Sequence, residues 1–272
     1  MSIIKIEPLI PSYYINLIWS IFFTSKNRGI DIHVHFPWLI FESNFFSVTI
    51  FTKNNDFIGG VIVKTNDTKI SKSKLYKTAS LGLVCIDTPY QKMGYAKLLL
   101  NAAIIEARRQ NYDALTLWTQ KHEVYKSHGF ELLDPSVFGW LDMTNYYDSN
   151  HTFNIVKTIN FQKNLSLPPF ALQGIIFQLK KTKVYSIEDK QGLIVAKWEG
   201  DNLDVIKILS SMPKKIFRIN IKNDDILLSL IPRYNILHDL KPSCLQMWLT
   251  LNEDINKKNW SDIYFFSVLD RI

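Results

Sequence analysis

The chain has 272 residues, 47% of them apolar and 21% charged, with two cysteines and a net charge of +7. That balance excludes wholesale disorder, two cysteines exclude a disulfide-stapled scaffold, and the lack of a Cys-x-x-Cys pair excludes a structural zinc site of ordinary spacing. At roughly 100–200 residues per domain there is room for two domains. The positive charge is spread along both halves. Residues 1–150 hold 15 basic and 13 acidic side chains, residues 151–272 hold 17 and 12, and arginines number 6 against 26 lysines. Nucleic-acid readers draw on arginine for bidentate contacts, so no nucleic-acid partner is expected. The longest uncharged stretch, 8–25, contains two prolines, Asn16 and several hydroxyls. It reads as a core helix with its approach, so no membrane partner and a cytoplasmic location are expected.

In chain order, Ile3 to Ile6 is a short apolar run ended by Pro8 and Pro11, and Tyr13 to Phe23 is a buried helix. Lys26 to Ser43 is irregular and aromatic. Phe45 to Thr52 and Phe57 to Lys64 form a hairpin around Asn54-Asn55-Asp56, and Lys69 to Lys77 is a charged loop. Ala79 to Ile86 is a buried strand broken by Asp87-Thr88-Pro89. A loop, Gln91 to Ala96, opens a helix over Lys97 to Gln110. A strand at Ala114 to Trp118, a helical turn at His122 to Ser127 and two strand-like pieces at 130–133 and 137–143 follow. Residues 146–154 read as a linker. Beyond it come strands at 184–187 and 193–198, and a helix over Asn202 to Ser211 with Asp201 as its cap. A strand at 216–221, a helix at 224–231, a strand at 245–251 and a last apolar strand at 263–269 complete the chain. The order of residues 79–143 thus returns, which suggests a duplicated fold; an unrelated α+β domain is the alternative.

The segment with chemical content is Leu81 to Leu100, a buried strand running through a glycine-containing loop into a helix. Such a junction aims successive backbone N–H groups at one spot, and the helix dipole adds partial positive charge there. Gly94 lets a phosphate approach without a Cβ in the way. Gln91-Lys92-Met93-Gly94-Tyr95-Ala96 resembles the Gln/Arg-x-x-Gly-x-Gly/Ala signature of the GNAT (Gcn5-related N-acetyltransferase) superfamily. Tyr125, Gly129 and Phe130 supply the Tyr-x-x-x-Gly-Phe element that accompanies it. The likeness covers about residues 1–145.

The resemblance implies a mixed central sheet flanked by helices, an α/β (α+β) fold, in a catalytic domain over 1–145. A second, smaller α+β domain over 155–272 would be a degenerate copy. Acetyl-CoA is the implied cofactor. Its pyrophosphate would lie on Gln91, Lys92, Met93, Gly94, Tyr95 and Ala96. Its pantetheine arm would pair with the strand at Leu83, Val84 and Cys85, where an N–H at Val84 or Cys85 would polarise the thioester carbonyl. Tyr125 would protonate the leaving thiolate, and attack by the amine would be direct.

The general base is less legible. Glu42 is the first choice, with Asp31, His33, His35 and Asp87 also weighed. His33 and His35 lack a third ligand, so no metal is expected. Cys85 is read as a small buried apolar side chain, since nothing pairs it with a base. Phe36 and Trp38 offer aromatic surface for the acceptor, a small-molecule primary amine. An amino sugar, nucleotide-linked or free, comes first, and a peptide or protein amine stays open. In the second half, Asp201 and Asp204 stand where a pyrophosphate would bind and would repel it. That half is expected to bind no coenzyme A and to shape the acceptor pocket or a homodimer contact. A non-catalytic acyl-CoA sensor or scaffold is the rival reading.

Overall fold

The computed structural model describes residues 2–41, 44–66, 69–71, 74–146, 154–158, 165–252, 260 and 264–272. The first half contains β1 (Ile3–Glu7), α1 (Ser12–Phe22), α2 (Ile32–His35), α3 (Trp38–Phe41), β2 (Phe45–Phe51), β3 (Phe57–Thr65), β4 (Lys69–Ser71) and β5 (Lys74–Tyr76). It continues with β6 (Thr78–Ile86), α4 (Tyr95–Arg109), β7 (Ala114–Trp118), α5 (His122–Lys126), β8 (Glu131–Leu132) and β9 (Ser136–Asp142). The second half contains β10 (Asn154–Thr158), β11 (Gln173–Leu179), β12 (Thr182–Asp189), β13 (Gly192–Glu199) and α6 (Asn202–Ser211). β14 (Ile216–Lys222), α7 (Ile226–Arg233), β15 (Leu237–Pro242) and β16 (Gln246–Thr250) follow.

The structure adds elements that were not expected, α2 and α3 in the stretch read as irregular and the strands β11 and β15, and it differs in two further places. The charged loop at 69–77 contains a small hairpin, β4 with β5, because Lys69, Ile70 and Ser71 face Tyr76, Leu75 and Lys74 in register. The last apolar run is not a strand. Residues 264–269 join no ladder; their apolar side chains are consumed by packing, Tyr264 and Phe266 around Trp248 and Val268 and Leu269 against the second sheet. A 2.0-residue alternation does not distinguish the two outcomes.

The larger sheets have the orders β1-β2-β3-β6-β7-β16-β8 and β10-β11-β12-β13-β14-β9-β15. Position by position they agree in direction as well. In each, the fourth and fifth strands pair parallel and every other neighbouring pair is antiparallel. Each parallel pair is joined by a helix, α4 between β6 and β7 and α6 between β13 and β14, as a parallel crossover requires. The sixth position is reciprocal. β9, from the first half, lies between β14 and β15, while β16, from the second half, lies between β7 and β8. The two sheets are therefore copies of one topology that have exchanged a strand.

Alternation along each strand explains the layers. Val61 and Val63 of β3 face α4, where they meet Leu99, Leu100, Ala103, Ile104 and Ala107. Ile62 faces the other way, into the cluster of Tyr14 and Ile18 from α1. In the second sheet, Val195, Phe217, Ile219 and Ile221 pack on Val205, Ile208 and Leu209 of α6 and Leu227 and Ile231 of α7. Its opposite face is covered by Leu165, Leu167 and Ala171 together with Val268 and Leu269.

Because each sheet depends on a strand from the other half, the chain is expected to unfold in one cooperative thermal transition. Scanning calorimetry checks this, and two resolved transitions, one per sheet, would contradict it.

Candidate active site

β6 and β7 start as neighbours and then separate. Their register runs through Thr78↔Ala114, Ala79↔Leu115 and Ser80↔Thr116 and stops. β6 continues beside β3 to Ile86, while β7 continues beside β16 to Trp118. A wedge opens between strands that a regular sheet would keep paired, and among the described residues the backbone edge of β6 beyond Ser80 has no strand partner on that side.

A β-bulge sits at the mouth of this wedge. The β3–β6 register passes from Ile62↔Gly82 to Gly60↔Cys85, so the ladder skips Leu83 and Val84. Leu83 has φ of +51°, a left-handed conformation that an L-residue adopts only under constraint. The bulge reverses the faces of the strand. Ala79 and Leu81 pack toward α4, whereas Leu83 and Cys85 pack toward α1. The constraint comes from Tyr14, whose buried hydroxyl donates to the Leu83 carbonyl at 2.8 Å. Its ring passes directly beneath Gly60, where a Cβ would lie 2.7 Å from ring carbon, so only glycine lets the tyrosine reach the bulge.

At the end of β6 the chain turns through Asp87, whose carboxylate accepts from the Thr88 N–H at 2.7 Å. Gln91 Nε2 donates back to the Ile86 carbonyl at 3.0 Å and fixes the loop to the strand. Gly94 caps α4 with φ of +85° and no side-chain cap, and a Cβ there would meet nothing within 4 Å. The N–H groups of Lys92 to Ala96 meet no acceptor among the described residues. They form an outward-facing cradle at the N-terminus of a 15-residue helix, the place where an anion is favoured. The residues present therefore fit a pyrophosphate. The equivalent junction in the second sheet is different. Asp201 caps α6 by accepting from Leu203 N–H at 2.9 Å and Asp204 N–H at 3.1 Å. There the chain supplies its own anion.

The wedge widens into a cleft of about 340 Å³. Its sheet wall is Leu81 to Val84 of β6 with Leu117, Trp118 and Thr119 at the end of β7, and Tyr125 of α5 closes one side. Phe22 and Phe36 contribute from the α1–α2 region, and the second half adds Pro168 to Phe170, Val268, Arg271 and Ile272. Tyr125 stands edge-on to Phe130, with ring centroids 6.0 Å apart. Burial raises its phenol above the ordinary value of 10, so it is a protonated donor at neutral pH.

The structure thus brings Leu83, Val84, Tyr125 and Phe36 to one cleft and sets Gln91 to Ala96 on the loop into which the same strand runs. Cys85 has its thiol buried on the α1 side, where desolvation pushes its pKa up to about 12; it is no nucleophile. Trp38 does not line the cleft. It is fully buried, and its indole N–H donates to Ser166 Oγ at 3.1 Å. Glu42 lies outside the described residues. Asp31 caps α2, accepting from His33 and Val34 N–H. His35 is fully buried, with Nδ1 2.8 Å from the Leu167 carbonyl and Nε2 accepting from Ile30 N–H at 3.1 Å. An acceptor at Nε2 leaves the proton on Nδ1, so both nitrogens of the neutral ring are committed. The pair His35–Leu167, closed also by Leu167 N–H to His35 carbonyl at 2.8 Å, holds the segment that leads into Pro168 to Phe170. Among the described residues no three His, Cys, Asp or Glu side chains are grouped to hold a metal.

Tyr14, Arg271 and the Pro168–Phe170 wall were not visible as site residues in the sequence. Only the glycine pair 59–60 hinted that something passes close beneath β3.

Known proteins resemble this chain in its first half and in its fold. Residues 13–130 match the model of the acetyltransferase (GNAT) family. No curated protein matches the chain. Among solved structures, a probable N-acyltransferase of Enterococcus faecalis V583 superposes with a TM-score of 0.66 at 11% identity, covering 93% of this chain and 73% of that one. A GCN5-related N-acetyltransferase of Anabaena variabilis gives 0.64 at 12% identity, covering 92% and 73%. Eis1 of Mycobacterium abscessus gives 0.62 at 10% identity, covering 93% and 74%. At these identities the likeness shows the fold, and it extends over both sheets.

Burial lowers the pKa of His35, so the folded state favours the neutral ring. Its contribution to stability is complete above the ordinary imidazole value near 6.5 and is lost as pH falls through that value toward the lowered one. The melting temperature is expected to drop between about pH 7.5 and 5.5 by more in the wild type than in a His35→Gln variant. Equal drops in thermal melts would contradict this.

Proposed function

We propose that this chain, whose residues 13–130 are a GNAT-family acetyltransferase domain, moves an acetyl group from acetyl-CoA to the primary amine of a small molecule by direct attack. The observation that carries the reading is the pairing, along one strand, of a free amide cradle at Lys92 to Ala96 with a cleft holding a protonated tyrosine. Acetyl-CoA supplies the activated thioester.

The backbone N–H groups of Met93, Gly94, Tyr95 and Ala96 hold the pyrophosphate, with the α4 dipole behind them. The unpaired edge of β6 offers hydrogen bonds to the pantetheine amides. An N–H at Val84, which the β3 ladder skips, or at Cys85 takes up negative charge on the carbonyl oxygen. The amine nitrogen bonds to the acyl carbon, the carbon–sulfur bond breaks, and Tyr125 gives its proton to the departing sulfur. The extra proton on nitrogen leaves to water, and the phenolate recovers one from the same source. No Asp, Glu or His side chain lines the cleft among the described residues. An apolar cleft itself disfavours the ammonium form, so the amine enters as the free base.

Residues 1–145 and 155–272 are the two domains of this reading, each lending the other a strand. The second shapes the acceptor side through Pro168 to Phe170. Of the expected aromatic platform for an amino sugar only Phe36 reaches the cleft, which leaves a less polar amine better matched to the walls. A cytoplasmic location belongs to the same reading, supported by two free cysteines and by the lack, among the described residues, of a helix long and apolar enough to cross a membrane.

Calorimetric titration with acetyl-CoA is expected to give about one site per chain, because Asp201 fills the second cradle, and to lose it in Gly94→Glu. Two sites would overturn the assignment of the second sheet. Tyr125→Phe is expected to keep acetyl-CoA affinity while turnover, read by thiol release, falls about 10²–10⁴-fold. A wild-type protein that binds acetyl-CoA but turns over no amine would support a sensor instead.

A further inference from the structure

The cleft contains one charged side chain that acyl transfer does not use. Arg271 lines it beside Trp118, with the guanidinium 5.9 Å from the indole centroid. Among the described residues its side chain donates to a neutral acceptor, Asn220 Oδ1, at 3.3 Å, and its Nε is buried without a partner. Asp134 and Asp270 are close enough to act on it electrostatically, but both are committed elsewhere. Asp134 accepts from the N–H groups of Ser136, Leu245 and Gln246. Asp270 accepts from Ser267 and faces Lys197 at 3.8 Å. Burial pulls the guanidinium down to about 10, against the opposing pull of the Asp134 and Asp270 carboxylates; it is still charged at neutral pH. A buried guanidinium that lines a cleft and keeps an N–H without a partner has hydrogen-bonding capacity to offer an anionic ligand.

We propose that Arg271 is a specificity-determining residue that binds a carboxylate on the acceptor, which is therefore an apolar amino carboxylate. The rest of the cleft supplies the apolar part, through Phe22, Phe36, Pro169, Phe170 and Val268. A planar guanidinium accepts a carboxylate in paired hydrogen bonds. No second Lys or Arg lines the cleft among the described residues, so a phosphate dianion would leave charge unbalanced in apolar surroundings, and a polyamine would be repelled. For the amine this inference rests on the acyl-transfer reading; for the anion it stands on the cleft alone.

The test titrates phenylalanine, 2-phenylethylamine and tyramine O-phosphate into the protein saturated with coenzyme A, and in parallel measures their acetylation by thiol release. Phenylalanine is expected to bind about 10- to 100-fold more tightly than 2-phenylethylamine, the worth of one charge-assisted contact. In Arg271→Gln that ratio is expected to fall toward one while coenzyme A affinity is kept, which also shows that the variant folds. Arg271→Lys should retain part of the ratio. The proposal is overturned if the wild type binds the two equally, if neither binds, if the phosphate binds more tightly than the carboxylate, or if Arg271→Gln weakens both alike. Preference in binding without turnover of any of the three would leave the anion site standing and count against acyl transfer.

Discussion

The hydrogen bond from Tyr14 to the Leu83 carbonyl is the contact on which the site depends. It is buried, it crosses from α1 to the middle of the first sheet, and it holds one residue of β6 in a left-handed conformation. A residue there would return to the extended region if released, and the alternation of β6 would then run unbroken. Leu83 and Cys85 would turn to the α4 face and meet a core already filled by Leu81, Leu99 and Leu117. The bulge thus separates two halves of a strand that face different layers. It also takes Leu83 and Val84 out of the ladder where the sheet opens.

The two sheets show how little sequence separates an open amide cradle from a capped helix start. Both place a helix N-terminus at the end of their fourth strand. In one, glycine turns the chain and leaves the amides of the first turn free. In the other, Asp201 accepts from two of them. Ordinary N-capping stabilises a helix by about 1 kcal/mol and in the same act removes the donors that an external anion would need. Omitting the cap at α4 forgoes that stability and leaves the donors open.

The exchange of β9 and β16 ties the halves together and also composes the cleft. A strand from the second half runs beside β7, and residues 168–170 and 268–272 line the cleft, among them two prolines, Phe170, Val268 and Arg271. His35 and Trp38, on the short helices of the first half, hold that segment by hydrogen bonds to Leu167 and Ser166. The substrate-side aromatic region is thus largely an internal joint: Phe36 reaches the cleft and Trp38 does not.

Local information in the sequence determined many of the elements and the glycine turn that opens α4. The strand at Ala114 to Trp118, the helix at Asn202 to Ser211 with its Asp201 cap, and the Gly94 turn follow from alternation, helix periodicity and capping chemistry within a few residues. The place of Tyr125 was legible because its motif is also short. Only the tertiary structure decided the reach of Tyr14 to a carbonyl 69 residues away, the reciprocal strands, the burial of Trp38 and the position of Arg271. Propensity and period say whether a segment can lie in a sheet, but not which sheet. That choice is made by hydrogen bonds and burial between residues over a hundred apart, such as Thr116 with Met247, for which a single sequence carries no local trace.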